Sequence, residues 1–502
     1  MVREMFDITA KRAALKPDAV AMRELSTGRR VTYRELDGRA ARCASVLAGV
    51  GIGPGDRVAV LCRNRIAFFE LLFACAKLGA ILVPLNWRMP AAELRQPLAD
   101  STPALLAYGA EDSAAGLAAA DGTGMALLAL DGDYEARLDA AAPHPGRERW
   151  PADEVWYLLY TSGTTGVPKG VIYTYAMALV NYVNIGQAVD IRSDDRTLCF
   201  LPLFHTAGIN LHTVPTLMAG GTVLVLPGFD ADVMIGLLAG GELDTFFGVP
   251  AVYQLLSLHP RFDEVDLSRL RSWGCGGAPL PDALVERFAA RGARVCNGMG
   301  MTETGPTVFL VDAEHAAAKI GSVGKPQLLT QVRIVDAEGR DVPPGETGEL
   351  WIAGPGLTPG YWNRPDATAA AYAPGGWLRT GDLARQDNEG YFYIVGRLKE
   401  MFISGGENVY PAEVENVLSR HPDVLEAAVV GVPDAKWGEV GRAFILPRPG
   451  HALPEEAELA AFCRRHLAAY KVPRRFVAVA DFPRTASGKV QKPKLPIEDT
   501  VP

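Results

Sequence analysis

Residues 160–171 read YTSGTTGVPKGV and join an apolar run, VWYLLY at 155–160, to a loop rich in hydroxyls and glycines. Glycines let backbone N–H groups approach phosphate oxygens, hydroxyls add donors, and a lysine supplies a mobile positive charge. This is not a Walker A loop, because Lys169 follows Gly166 by three residues and Gly170 stands where Ser or Thr would follow. The segment predicts a phosphate-binding loop whose contacts come from Thr161, Ser162, Gly163, Thr164, Thr165, Gly166 and Lys169.

Short β-rich runs alternate with amphipathic stretches on both sides of this loop. VAVLC at 58–62 and DTFFGVP at 244–250 are typical of buried strands, whereas AAELRQPLAD at 91–100 and DALVERFAARG at 282–292 are typical of helices. This alternation predicts an α/β fold of layered, largely parallel sheets. Between residues 332 and 395 short strands and turns predominate, which predicts a small antiparallel, β-barrel-like module.

The most apolar stretch of the chain runs from Phe68 to Leu85. It carries Glu70 and Lys77, and it is shorter than the ~20 clean apolar residues that a membrane-spanning helix needs. The pattern therefore predicts a buried helix followed by a strand, and no transmembrane segment.

The pattern starts afresh after Arg397. PAEVENVLSRHPDV at 411–424 indicates a helix with a proline in its first turn, and EEAELAAFCRRHLAAY at 455–470 indicates a second helix. Strand-like runs lie between them, so this part predicts a small α+β domain. We place the boundary within residues 396–399, which divides the chain into 1–396 and 397–502.

Composition excludes several classes of function. The 502 residues carry a formal net charge of −8, which argues against an extended nucleic-acid surface. Seven scattered cysteines form no CxxC pair, as expected of free thiols in a reducing compartment rather than a disulfide frame or zinc site. The first residues lack the apolar core of a secretory signal, so a cytoplasmic location is expected.

The phosphate-loop segment resembles the signature of the adenylate-forming superfamily, which includes acyl-CoA synthetases, luciferases and nonribosomal adenylation domains. Other segments are similar to further motifs of that family and occur in the family's order: GDRVAV, KLGAILVPLN, PLFHTAG, GGAPL, MGMTE, GELWIAGPGLTPGYW, LRTGD, GRLKEMFISGGENVYPAEVE, YKVP and PRTASGKVQK. Together they cover nearly the whole chain. The resemblance implies a large N-terminal domain that binds ATP and the acyl group, and a small mobile C-terminal domain. It also implies an acyl-CoA synthetase that uses ATP, Mg²⁺, coenzyme A and a small carboxylic acid.

The resemblance implies roles for five polar residues in binding the nucleotide and its metal. In Gly300-Met301-Thr302-Glu303, Thr302 would contact the α-phosphate and Glu303 would bind Mg²⁺, with Thr164 a weaker candidate ligand. Asp382 would accept hydrogen bonds from the ribose hydroxyls. Arg397 would add a further contact to the nucleotide.

The expected adenine slot departs from the family in one position. Gly276, Gly277, Ala278 and Pro279 would form one wall, where small residues let backbone lie against a flat base. Opposite it the family usually carries an aromatic residue, and this chain has Met299. A thioether also packs favourably on a ring, so nucleotide binding is expected to survive without aromatic stacking.

Three further segments complete the expected machinery. Lys489 would bind the carboxylate and the α-phosphate during adenylation, since a desolvated ammonium offsets the repulsion between two anions. His205 would line or gate the acyl pocket, with a satisfied core histidine as the alternative. Ser404, Gly405 and Gly406 would flank the pantetheine passage of coenzyme A, and Lys399 occupies the hinge position about which the small domain would rotate.

Alternative functions remain open at this point. A stand-alone adenylating enzyme that loads a carrier protein shares the first half-reaction, as does a luciferase. A degenerate nucleotide-binding non-enzyme would be expected to lack Lys489, Glu303 or Asp382, and all three are present. The pocket segments are apolar, without an arginine to pair a second carboxylate, so we expect an aromatic acid of hydroxycinnamate or benzoate type, or a medium- or long-chain fatty acid. The protein is expected to be a monomer or homodimer.

Overall fold

The computed structural model describes residues 2–161, 168–278, 280–484 and 490–496. In chain order the strands are β1 Glu4–Phe6, β2 Val20–Glu24, β3 Arg30–Thr32, β4 Arg57–Leu61, β5 Ile81–Pro84, β6 Leu105–Tyr108, β7 Ala126–Ala129, β8 Arg149–Pro151, β9 Val155–Thr161, β10 Lys169–Thr174, β11 Arg196–Cys199, β12 Thr222–Val225, β13 Thr245–Gly248, β14 Ser272–Cys275, β15 Val295–Met299, β16 Phe309–Leu310, β17 Lys325–Pro326, β18 Gln331–Val335, β19 Gly348–Ala353, β20 Tyr372–Ala373, β21 Trp377–Gln386, β22 Phe392–Arg397, β23 Phe402–Ser404, β24 Glu407–Val409, β25 Val424–Asp434, β26 Gly438–Pro447 and β27 Arg475–Ala478. The α-helices are α1 Ile8–Leu15, α2 Tyr33–Gly49, α3 Ile66–Leu78, α4 Ala91–Ser101, α5 Ser113–Ala120, α6 Tyr134–Ala140, α7 Tyr175–Val189, α8 Thr213–Ala219, α9 Ala231–Ala239, α10 Pro250–Ser257, α11 Asp282–Ala289, α12 Pro365–Ala371, α13 Pro411–Leu418 and α14 Glu456–Arg464.

Two large sheets form the layers of the N-terminal part. Among the described residues, one has the strand order β10-β9-β5-β4-β6-β7 and the other the order β17-β16-β15-β14-β13-β11-β12-β2-β3. Neighbouring strands are parallel from β9 to β7 and from β15 to β2, with antiparallel strands added at the edges. This confirms the α/β fold that the alternation of runs predicts.

Helix α3 lies between the two sheets and is buried along its whole length. Its two charged residues are paired: Glu70 accepts from Arg39 Nε at 2.5 Å and from the Tyr134 hydroxyl at 2.7 Å, and Lys77 donates to Asp7 at 2.6 Å. Such pairing removes the large cost of an isolated buried charge. The predicted buried helix followed by a strand is thus confirmed, as α3 and β5. No helix of the described residues is long and apolar enough to cross a bilayer.

Two smaller antiparallel sheets follow in the chain. Within the described residues β18, β19, β21, β20 and β22 form one sheet, which corresponds to the predicted barrel-like module. The second contains β23 to β26, with β27 added in parallel, and is packed by α13 and α14. Helix α13 begins at Pro411, as its sequence predicts.

The two parts of the chain contact each other at the start of α11. Asp282 accepts a hydrogen bond from Asn416 Nδ2 at 3.2 Å and a charged one from Arg420, just beyond α13. The last strand of the larger part, β22, ends at Arg397, and β23 begins at Phe402. A domain boundary within residues 396–399 stays a prediction.

Candidate active site

The carboxyl ends of β11, β13, β14 and β15 bring several of the predicted site residues to one edge of the larger sheet. These strands are parallel neighbours, so the segments that follow them lie side by side. In open α/β sheets this edge is where ligands usually bind. The segments that follow contain His205, Val249, Gly276 and Glu303.

The predicted phosphate loop connects two paired strands. Thr161 at the end of β9 lies opposite Lys169 at the start of β10, so the two described ends of the loop are held together by a hairpin. Five predicted loop residues lie outside the described residues: Ser162, Gly163, Thr164, Thr165 and Gly166. Pro279 and Lys489 also lie outside them.

Tyr361 joins the predicted metal ligand to the predicted phosphate lysine. Its hydroxyl donates to Glu303 Oε1 at 2.9 Å, and the ammonium of Lys169 lies 5.2 Å from the centre of its ring. Burial raises the pKa of the Tyr361 phenol, and the neighbouring Glu303 carboxylate raises it further, so the hydroxyl stays protonated and keeps donating. Glu303 is itself buried, and its backbone carbonyl accepts from Thr358. One acidic and one basic side chain are thereby held on the same tyrosine.

Thr302 opens a tight turn. The backbone of Gly300 lies so close to Pro306 that a Cβ at position 300 would stand 1.4 Å from the Pro306 carbonyl oxygen. Residues Thr302–Thr304 form one turn of 3₁₀-helix, and Thr304 Oγ1 accepts from the N–H of Met301 at 2.9 Å. No side chain larger than hydrogen fits at position 300 without moving this turn.

Asp382 and Arg397 form an ion pair across two neighbouring strands. They are directly opposite each other in the β21–β22 ladder, and Arg397 Nε lies 2.6 Å from Asp382 Oδ1. Asp382 is buried whereas the guanidinium of Arg397 is about half exposed. The Asp382 N–H also donates to Thr380 Oγ1 at 3.0 Å, which holds the backbone of Asp382 in place.

The predicted walls of the adenine slot lie on adjacent strands. A Cβ at Gly276 would stand 3.0 Å from the Gly298 carbonyl oxygen, and Gly277 has a φ of 86°, which favours glycine. Ala278 follows in the same turn. Met299 is half-buried at the end of β15, opposite Phe309 in the ladder. Its side chain packs against an apolar cluster that includes Val308.

His205 lies in a short aromatic row. Its ring centre is 4.7 Å from that of Phe204, which in turn meets Trp87 edge-on at 6.2 Å. Two guanidinium groups flank the same indole, Arg63 at 4.3 Å and Arg88 at 4.7 Å. The row connects the carboxyl ends of the two large sheets.

The predicted coenzyme A segment forms a sharp turn between β23 and β24. Ser404 is buried, and Gly405 and Gly406 have φ values of 61° and 88°. A Cβ at Gly405 would stand 2.8 Å from the indole of Trp437, and the Gly405 N–H donates to the Trp437 carbonyl. Lys399, the predicted hinge, lies in the turn between β22 and β23.

Three residues of this region are not among those singled out from the sequence: Tyr361, Trp437 and Lys492. Tyr361 stands in the GYW end of a recognised motif, which could have drawn attention to it. Lys492 donates to Glu400 at 2.7 Å and forms an ion pair with Glu415 at 2.8 Å. Burial alone would lower the pKa of Lys492, but Glu415 and Glu400 outweigh burial and hold that pKa above its ordinary value.

Comparison with known proteins identifies the family. The family model described as AMP-binding enzyme matches residues 9–362, and that described as AMP-binding enzyme C-terminal domain matches residues 413–489. A feruloyl-CoA synthase from Amycolatopsis sp is 44% identical over 484 residues, which is 96% of either chain. A long-chain-fatty-acid–CoA ligase from Mycobacterium tuberculosis is 38% identical over 490 residues, 97% of this chain and 96% of that one. The solved structure of o-succinylbenzoate coenzyme A synthetase from Bacillus subtilis with ATP and magnesium ion is 31% identical, with a TM-score of 0.88 over 98% of this chain and 99% of that one.

Proposed function

This chain belongs to the AMP-binding enzymes of the adenylate-forming superfamily, as an acid–thiol ligase, and from that premise we propose an ATP-dependent acyl-CoA synthetase. A carboxylate oxygen of the acid attacks the α-phosphorus of ATP, which forms an acyl-adenylate and releases pyrophosphate. The thiol sulfur of coenzyme A then attacks the acyl carbon, loses its proton, forms the thioester and releases AMP.

The observation that carries this proposal is the contact of Glu303 and Lys169 with one tyrosine. A nucleoside triphosphate carries several negative charges, so its binding site needs a cationic side chain and a metal ligand close together. The carboxylate of Glu303 and the ammonium of Lys169 both contact the side chain of Tyr361, so only this side chain separates them. Two residues that are far apart in sequence are therefore available to one polyphosphate.

The residues present suit Mg²⁺. Glu303 offers a buried carboxylate, the type of oxygen ligand that Mg²⁺ prefers, and Mg²⁺ usually takes only one or two such ligands from protein. When bound, Mg²⁺ would offset the negative charge of the triphosphate. Thr164 is the second proposed ligand.

The remaining roles follow from donor and acceptor chemistry. Asp382 accepts from the ribose hydroxyls, while Arg397, which holds that carboxylate from one side, also contacts the nucleotide. Thr302 donates to the α-phosphate, and Lys489 stabilises the two anions as they approach. Gly276 to Pro279 and Met299 enclose the base.

Coenzyme A would enter beside the turn at Ser404, Gly405 and Gly406. Both glycines have positive φ, so this backbone can approach a narrow ligand without side-chain hindrance. We propose that rotation about Lys399 alternates this turn with the Lys489 segment, because the two half-reactions need different groups at one site.

The acid is proposed to be aromatic or a medium- to long-chain fatty acid. The similarity to a feruloyl-CoA synthase and to a long-chain-fatty-acid–CoA ligase supports both classes. His205, with Phe204 and Trp87 behind it, would form the apolar entrance for either class.

The test is AMP release by the purified protein with MgATP and coenzyme A, across ferulate, 4-coumarate, benzoate, octanoate, palmitate and malonate. We expect turnover of at least one aromatic or fatty acid, reduced about a hundredfold or more in Lys489→Ala. The matched control is Lys494→Ala. Lys494 is exposed and lies five residues after Lys489, so this variant should keep the parent rate.

Two results would contradict the proposal. If no acid yields AMP or pyrophosphate, the protein is not a synthetase for these acids. If pyrophosphate exchanges but no product depends on coenzyme A, the acyl acceptor is a different one, such as a carrier protein.

A further inference from the structure

Asn181, in the middle of α7, hydrogen-bonds two segments of the candidate active site at once. Its Nδ2 donates to the Asn210 backbone carbonyl at 2.5 Å, and its Oδ1 accepts from the Thr307 hydroxyl at 2.9 Å. The first partner lies in what we call the acyl-side segment, residues 205–211, and the second in the metal-side turn, residues 302–307. One planar amide therefore joins these two segments.

Within the acyl-side segment, Asn210 is tied to the residue next to His205. The Asn210 Nδ2 donates to Thr206 Oγ1 at 3.0 Å. The backbone of Ala207–Leu211 between them is π-helical, a rare form that occurs frequently at functional sites. The contact with Asn181 is thus one side-chain bond away from the position that the predicted acyl-pocket histidine occupies.

The metal-side turn places Thr307 in the same compact unit as Glu303. Thr304 Oγ1 accepts from the Met301 N–H at 2.9 Å and donates to the Pro306 carbonyl at 3.2 Å. These two bonds close the turn on either side of Thr304. The contact with Asn181 therefore holds the turn that carries the proposed metal ligand.

A stacked pair of tyrosines holds the same two segments from the strands that flank the phosphate loop. The hydroxyl of Tyr157, on β9, donates to Asn210 Oδ1 at 2.6 Å, and that of Tyr173, on β10, donates to the Gly305 carbonyl at 2.8 Å. Their ring centres are 4.5 Å apart and their planes differ by 12°. Burial raises the pKa of both phenols, so both hydroxyls stay protonated and keep donating.

The side chains that make these bonds form what we call the inter-site network: Tyr157, Tyr173, Asn181, Asn210 and Thr307. Asn181, Asn210 and Thr307 are only 3%, 1% and 4% exposed, and both tyrosines are fully buried. A bond broken at this depth leaves a buried polar group unpaired, which is costly. Movement of one segment alone is therefore disfavoured, and the two segments are expected to move together.

We propose that Asn181 is a positioning residue for both substrates and couples the acid site to the nucleotide site. This inference rests on the proposed function, which puts the acid beside the acyl-side segment and MgATP beside the metal-side turn. A first substrate that orders one segment also orders the other through the network, so the second substrate loses less conformational entropy on binding. Bound MgATP should therefore raise the affinity for the acid, and bound acid should raise the affinity for MgATP by the same factor.

The experiment measures this coupling by titration calorimetry, as the ratio of the dissociation constants of the acid without and with MgAMPCPP. In this ATP analogue a methylene group replaces the oxygen between the α- and β-phosphates, so no adenylate forms during the titration. The acid is whichever of ferulate, 4-coumarate, benzoate, octanoate, palmitate and malonate gives the highest kcat/KM for AMP release. The parent should give a ratio of about 10. Asn181→Leu should lower the ratio to about 3 or less, because leucine has a similar volume but makes neither bond.

Asn184→Leu is the matched control. Asn184 lies three residues further along α7 and is as buried as Asn181. Its side chain accepts from the Leu329 N–H at 2.9 Å and donates to Thr330 Oγ1 at 3.2 Å and to the Thr307 carbonyl at 3.3 Å. This variant removes a comparable buried amide but leaves the bond from Asn181 to Asn210, so the parent ratio should be kept.

Thr307→Val decides the question if Asn181→Leu does not fold. It removes the hydroxyl that donates to Asn181 and should lower the ratio about twofold or more, whereas Thr307→Ser keeps that hydroxyl and should keep the parent ratio. The inference is overturned if the parent ratio is below about 2, if Asn181→Leu or Thr307→Val keeps the parent ratio, or if Asn184→Leu lowers it as far. Absence of AMP release with every one of these acids would overturn the proposed function instead.

Discussion

Met299 fills a position at which the adenylate-forming family usually carries an aromatic ring. Its thioether is half-buried and packs toward Val308 and Phe309. Sulfur contacts with a ring contribute ~0.3–1.5 kcal/mol, and an aromatic pair contributes ~0.5–1.5 kcal/mol beyond its buried area. The two choices are therefore close in energy, and nucleotide affinity should respond only modestly to this side chain.

We expect Met299→Tyr to lower the KM for ATP about two- to fivefold with little change in kcat, because the added ring stacks on the base in substrate and transition state alike. Initial rates of AMP release against ATP concentration measure this. Met299→Leu is the control and should match the parent. A higher KM for the tyrosine variant would mean that this position does not face the base.

At the scale of elements, the segment that follows Lys489 is tied to the hinge region and to α13. Lys492 opens a 3₁₀ turn, Lys492–Lys494, and its ammonium contacts Glu400 next to the predicted hinge and Glu415 within α13. Glu415 also accepts from the N–H of Val429, so this contact reaches β25. Removing the ammonium takes the charged partner away from the half-buried carboxylate of Glu415.

Lys492→Met should therefore lower the free energy of local unfolding of α13 by about 2 kcal/mol. This corresponds to about thirtyfold faster hydrogen exchange of the α13 amides. Mass spectrometry of exchanged peptides reads this without assuming two-state unfolding of the whole chain. Lys494→Met changes an exposed lysine of the same turn and should change the free energy of local unfolding of α13 by less than about 0.5 kcal/mol. Equal exchange in the two variants would contradict the argument.

Elements were more predictable than the contacts between them. The buried helix α3, the strand β5 and the helix that begins at Pro411 follow from local periodicity and proline position alone. The bond from Tyr361 to Glu303 spans 58 residues and that from Lys492 to Glu400 spans 92, and no local pattern encodes such pairings. The family resemblance supplied Glu303, Asp382 and Arg397, but not Tyr361, which binds Glu303, and not the ion pair between Asp382 and Arg397.

At the scale of the whole molecule, a polar contact at the start of α11 joins the two parts of the chain, beside the packing of α13 on β22. Asp282, at the first turn of α11, follows the proposed adenine wall by a few residues and is bound by Asn416 and Arg420 from the C-terminal part. A rotation of the small domain must break these bonds. The contact therefore lies at the start of α11, close in sequence to the proposed adenine wall.

Fixing this orientation should leave one half-reaction intact. The seven native cysteines are all buried, so Asp282→Cys with Arg420→Cys can be joined selectively by a short, reducible thiol cross-linker. We expect the linked protein to perform either pyrophosphate exchange or thioester formation from supplied acyl-adenylate, but not both. Reduction of the linker should restore the full reaction, and each single variant treated alike is the control. Retention or loss of both activities in the linked protein would contradict domain alternation.

The crowding at Gly300 also bears on how such proteins diverge. A Cβ at that position would stand 1.4 Å from the Pro306 carbonyl oxygen, so any other residue there would have to displace the turn. The adjacent position 299 has no such restriction, because its side chain rests on an adaptable apolar cluster. On the proposed function, an exchange at position 299 would change the surface offered to the base while the turn at Gly300 is kept.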